Sequence, residues 1–162
     1  MTLVIAHKDG WMAADRREVF EGQLLGPYRV NKIKRGQGIL VASAGNGVFQ
    51  CLIQEALDDA PPTASDGLRA VIKVFRDKGS EIGGHALALT REGICEITSR
   101  GGVSWLASDY WAIGSGYQFA IGYLTGVSGG GAVTDTHALH AINVAERFVN
   151  DVGDGYQLER LE

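Results

Sequence analysis

Apolar residues recur along this chain at two periods, and the changes of period mark out its elements. Thr2–His7 is nearly continuously apolar after its threonine, which predicts a buried strand. Lys8-Asp9-Gly10 follows, and Asp-Gly is a strong hairpin signal, so Trp11–Arg16 is expected to run back beside it. Glu21-Gly22 predicts a turn, and Arg29–Lys34 a further strand in which basic and apolar residues alternate. Arg35-Gly36-Gln37-Gly38 then turns the chain into Ile39–Ala44, a run of apolar and small side chains suited to burial on both faces.

Beyond Gly45-Asn46-Gly47 the period changes. Val48, Phe49, Cys51, Leu52, Ile53, Ala56 and Leu57 form a helical face. Asp58–Thr63, with Pro61-Pro62, is a connection. Ser65 is the expected cap of a second helix carrying Leu68, Val71, Ile72 and Phe75, closed at Lys78-Gly79. Strands are expected again at His85–Thr90, Ile94–Thr98, Val103–Leu106 and Tyr110–Ile113, with turns at Arg91-Glu92-Gly93 and Arg100-Gly101-Gly102. Gly114-Ser115-Gly116 leads into a third helix, Tyr117–Val127, and Ser128–Gly131 is a loop. Thr134 or Asp135 caps a fourth helix running to about Val149, and Gln157–Leu161 suits a final edge strand.

The order is strands, two helices, strands, two helices and a last strand. Helices arriving in pairs argue against a singly alternating Rossmann-type sheet. An α+β sandwich fits: two antiparallel sheets packed face to face and covered by helix pairs, four layers in the order αββα, in one domain over residues 1–162.

Composition changes this picture little. With 162 residues, 45% hydrophobic, the chain can bury a full core. Its net charge of -4 leaves no footprint for nucleic acid or a membrane surface. The short basic group Arg29–Arg35 is expected to be a strand with a polar face. Cys51 and Cys95 show no metal or disulfide spacing and are expected to be free, packed thiols in a cytoplasmic protein. No signal peptide is expected ahead of the first strand. His137 and His140 lack a partner carboxylate pattern, Gly129-Gly130-Gly131 lacks the lysine of a phosphate loop, and no metal or cofactor is expected. Trp11, Trp105 and Trp111 are expected as packing anchors or subunit contacts.

The chemistry centres on Thr2. If Met1 is removed, one residue carries both a hydroxyl and a free amine, and the amine, with a reference pKa of roughly 7.7–8.0, can act as the hydroxyl's base. A lysine nearby would keep that amine unprotonated, and an acid would orient the lysine. Lys32 and Asp15 are the candidates. Were they merely a surface pair, they would contribute roughly 0–1 kcal/mol. Gly45 lies where a buried strand meets a helix, so its backbone N–H can hold an oxyanion. Ser115 occupies a similar junction and can support the amine or cap the third helix.

In order and context these motifs resemble the proteasome-type N-terminal-nucleophile hydrolases, in particular the bacterial HslV-like proteases, over nearly the whole chain. The resemblance rests on Thr2, Lys8-Asp9-Gly10, Ala13-Ala14-Asp15, Lys32-Ile33-Lys34, Ala44-Gly45, Gly114-Ser115-Gly116 and Phe119-Ala120-Ile121-Gly122. It implies a threonine endopeptidase in which Thr2 attacks, Gly45 stabilises the oxyanion, Lys32 and Asp15 tune the nucleophile, and Ser115 supports it. It further implies a homo-oligomer of ring or stacked-ring form, an unfolded polypeptide substrate and an ATP-dependent unfoldase partner. The interval from Thr2 to Asp15 is shorter than the family's. A late acidic residue that the family carries is sought at Glu146, Asp151 or Asp154. Two alternatives share the fold: a catalytically inactive assembly subunit and a small-amide hydrolase.

Overall fold

A computed structural model describes residues 2–17, 19–20, 23–24, 30–129 and 131–162, with side chains left undescribed at 19, 20, 23 and 24. The expected turn at Glu21-Gly22, the start of the strand at Arg29, and Gly130 of the glycine loop lie outside the described residues. The elements are β1 (Leu3–His7), β2 (Trp11–Asp15), β3 (Val19–Phe20), β4 (Gln23–Leu24), β5 (Ile33–Gly36), β6 (Ile39–Gly45), α1 (Val48–Asp59), α2 (Ala64–Ile82), β7 (Gly84–Thr90), β8 (Gly93–Ile97), β9 (Val103–Trp105), β10 (Tyr110–Gly114), α3 (Tyr117–Ser128), α4 (Asp135–Glu146) and β11 (Tyr156–Arg160).

Two antiparallel sheets carry the architecture. One has the order β10-β1-β2-β11 and the other β5-β6-β7-β8-β9, while β3 and β4 pair in a separate two-stranded sheet. Strand alternation builds three apolar layers from these two sheets. Val4 and Ala6 of β1, Leu40 and Ala42 of β6, and Leu87 and Leu89 of β7 fill the space between the sheets. Their neighbours Leu3 and Ile5 face α3 and α4, meeting Ala120, Leu124, Ala138 and Ile142. Ile39, Val41, Ala86 and Ala88 face α1 and α2, where Phe49 and Phe75 stack at 4.3 Å between ring centroids. Burial on both faces explains why these strands read as continuous apolar runs, and the αββα sandwich is as expected.

Several boundaries differ from the expectation. The cap of α2 is Thr63, not Ser65: its side chain accepts the Asp66 N–H at 3.1 Å from an extended backbone. Nor does α2 stop at Lys78-Gly79. It continues to Ile82, and Gly79 lies inside it because the Ser99 backbone packs against that position with no room for a Cβ. Thr134, not Asp135, caps α4, in a capping box with His137, and the helix ends at Glu146, short of Val149. The strand expected over 29–34 begins only at Ile33 and runs to Gly36, so Lys32 precedes it. Arg16 and Thr2 each lie one residue outside their strands. Trp11 is buried, whereas Trp105 is half exposed and no core anchor. Cys95 is buried, but Cys51 is exposed on α1 instead of packed.

Candidate active site

Asp15 ends β2, antiparallel to β1, and its buried side chain is a junction for four donors. Oδ1 accepts the Leu3 N–H at 2.7 Å and the Lys32 ammonium at 2.9 Å. Oδ2 accepts the N–H groups of Arg17 at 3.1 Å and Gly153 at 3.2 Å. Lys32 also donates to the Arg17 carbonyl at 2.6 Å. With relative exposures of 0% for Asp15 and 2% for Lys32, this is no surface ion pair. Burial pushes the Asp15 carboxyl up from its ordinary range, against the pull of the Lys32 ammonium and the N–H groups of Leu3 and Gly153. One carboxylate oxygen thus ties the residue following Thr2 directly to Lys32.

A second tether fixes Thr2 from the other side. The Ser115 N–H donates to the Thr2 carbonyl at 3.0 Å, one step beyond the pairing of Leu3 with Gly114. Gly114 has φ +99, and a Cβ there would collide with the same carbonyl. Ser115 does not cap α3; the cap position is Gly116, with no side-chain cap bond. Across the sandwich, Gly45 ends β6 with φ +123, and a Cβ on it would lie 2.8 Å from the Gly84 Cα. Its exposed backbone borders a cavity of about 360 Å³ lined by Thr2, Gly45, Gly84, His85, Gly114 and Ser115. Thr2 itself is 4% exposed. The structure therefore brings Thr2, Gly45 and Ser115 to one cavity and joins Thr2 to Asp15 and Lys32 through the adjacent amide.

Three supports carried no clear sequence signal. Gly153 contributes only a backbone N–H. Gln157 on β11 brackets Ile33, accepting its N–H at 3.0 Å and donating to its carbonyl at 3.1 Å, which holds the residue next to Lys32. Arg17 donates from NH1 to the Asn150 carbonyl at 2.7 Å and pairs with Asp154 at 3.2 Å and Glu146 at 3.3 Å. Two of the late acids sought from sequence are thus attached to Arg17, whose own carbonyl receives Lys32. Their link to the site runs through that arginine.

The remaining chemistry lies elsewhere. His7 is buried at the far end of β1, stacked on Trp11 at 4.9 Å. Among the described residues, no group of three His, Cys, Asp or Glu side chains is arranged to hold a metal, and no helix is long and apolar enough to cross a membrane.

No family model matches the sequence, and no curated protein does. Solved structures do. BPH of Thiobacillus denitrificans in complex with epoxomicin superposes with a TM-score of 0.77 at 20% identity, covering 100% of each chain. A second structure of BPH from the same organism gives 0.76 at 19%, covering 100% of this chain and 99% of its own. Eukaryotic HslV from Trypanosoma brucei gives 0.75 at 18%, with the same coverage. The chain has the fold of the proteasome-type N-terminal-nucleophile hydrolases.

Proposed function

We propose that this protein is a threonine endopeptidase whose nucleophile is Thr2 after removal of Met1. The observation that carries the reading is the shared Asp15 oxygen, which binds the Leu3 N–H and the Lys32 ammonium together. In this reaction the Thr2 hydroxyl oxygen attacks the peptide carbonyl while the α-amine takes its proton. The Lys32 charge disfavours an ammonium at the terminus and keeps the amine basic. The Gly45 N–H receives the carbonyl oxygen as it becomes negative. Collapse breaks the C–N bond, and the leaving amine takes the proton. Water, activated by the same α-amine, then hydrolyses the ester and frees Thr2. Asp15 and Ser115 hold the parts in place.

The fold shared with HslV supports a homo-oligomeric chamber in the cytoplasm, fed with unfolded polypeptide by an ATP-dependent partner. A closed ring is a natural assembly for repeated heterologous contacts. The test is intact mass of the native protein, followed by incubation with epoxomicin and mapping of the adduct. A chain beginning at Thr2, modified at Thr2, and losing peptide turnover in Thr2→Ala while keeping its assembly is the expected result. Quantitative retention of Met1 would refute the enzyme and favour an assembly subunit without catalysis. Turnover of small amides but not of polypeptide would refute the endopeptidase.

A further inference from the structure

Two cavities meet beside Thr2. The nucleophile cavity shares His85 and Gly114 with a neighbour of about 330 Å³, which is also lined by Glu96, Trp111 and Tyr117. This neighbour lies along β10, an edge strand of its sheet. Gly114 pairs with Leu3, so the shared wall is one strand spacing, about 4.8 Å, from the backbone that carries Thr2.

The lining has a definite chemistry. Glu96 supplies its carboxylate, and no lysine or arginine is among the lining residues. The carboxylate lies 3.5 Å from His85 Nδ1, and the Glu96 side chain is only 26% exposed. Trp111 is half-buried and Tyr117 exposed, and both line the cavity. A half-buried carboxylate in a cavity also lined by aromatic side chains favours a cation, through a charge-assisted hydrogen bond and through any ring face the cation meets. The methylene stem of a long basic side chain packs along the rings while its head reaches the carboxylate. A neutral side chain would strip water from Glu96 without replacing it, and an acidic one would be repelled.

We propose that this cavity is a substrate subsite that takes a lysine or arginine side chain next to the scissile bond, with Glu96 as the residue that sets the preference. The proposal rests on the endopeptidase reading of Thr2 for its substrate but not for its test. Thr2→Ala protein is titrated with pairs of otherwise identical peptides carrying lysine or norleucine at either residue flanking the bond, followed by Trp fluorescence. At one of the two positions the lysine peptide should bind about 10-fold tighter, and Glu96→Gln should bring the pair within about twofold. Equal binding at both positions, or a preference that survives Glu96→Gln, overturns the subsite. Because the readout is binding, failure of catalysis at Thr2 leaves this result standing. Conversely, a protein that cleaves peptides with no preference for a basic residue keeps the endopeptidase and loses the subsite.

Discussion

Replacing Asp15 by asparagine is the sharpest test of how the site is held. The shape is preserved, but the chemistry cannot be. Among the described residues, the four partners of the carboxylate are all donors: Leu3 N–H and Lys32 Nζ at Oδ1, Arg17 N–H and Gly153 N–H at Oδ2. In either amide orientation the NH2 group faces two donors, and the Lys32 ammonium loses the Asp15 charge in a site with almost no exposure. Breaking a buried pair by removing one partner costs about 3–5 kcal/mol. That is a large part of the roughly 5–15 kcal/mol by which a domain is stable. With a urea slope of about 1–3 kcal/mol/M, the midpoint should fall by at least about 1 M. Lys32→Met removes the charge from the other side and leaves the carboxylate three N–H donors, so its loss should be the smaller of the two. Both variants should lose peptide turnover, since neither keeps a charged lysine anchored near Thr2. Equilibrium urea unfolding of the two single variants and the double variant measures this directly. A loss below about 1 kcal/mol for Asp15→Asn, or a larger one for Lys32→Met, would refute the account of a buried, donor-saturated carboxylate.

Two other outcomes follow from the same geometry. Gly114→Ala places a methyl group on the Thr2 carbonyl at a φ of +99, so Thr2 must shift; under the proposed mechanism turnover should fall on the order of 100-fold, as misplacement by about 1 Å does elsewhere, and wild-type kinetics in this variant would show that Gly114 does not position Thr2. Burial holds His7 below its ordinary value of 6.5, partly offset by Asp9 and Asp109, so the native state prefers the neutral ring. The stability this contributes is present above about pH 6.5 and is lost as pH falls through the lowered value. His7→Phe keeps an aromatic ring against Trp11, so its urea midpoint should decline less than that of the wild type between pH 7 and pH 5; parallel declines would exclude His7 as the source.

Much of the sandwich was legible because its strands are buried on both faces. The runs in β1, β6 and β7 admit one reading, and the Asp9-Gly10 turn fixes the first hairpin. Of the candidate residues, Thr2, Gly45 and Ser115 border one cavity. What the sequence could not reveal was depth. The alternation around Lys32 suggests a strand with a wet face, yet the lysine lies ahead of the strand and turns inward to Asp15, a contact across 17 residues. Nor could it foretell that Gly79 marks a close approach to Ser99 inside a helix and not the helix end. Gly153 and Gln157 act on the site through backbone groups and an amide from more than 120 residues away, and no local pattern announces such partners.

Their remoteness bears on how the molecule is made. β11 pairs with β2 from Tyr156–Asp15 to Arg160–Trp11, and Gly153 supplies one of the four donors to Asp15. The β1–β2 hairpin leaves the ribosome before β11, so one edge of β2 stays unpaired and the Asp15 carboxylate under-satisfied until the segment carrying Gly153 and β11 has emerged. Bonds spanning 138 and 124 residues must wait for the last segment, and such non-local closure is slow. A chain cut short before Gly153 therefore holds Thr2 without the full set of bonds around Asp15. The order of translation itself delays the assembly around Thr2 until β11 is in place.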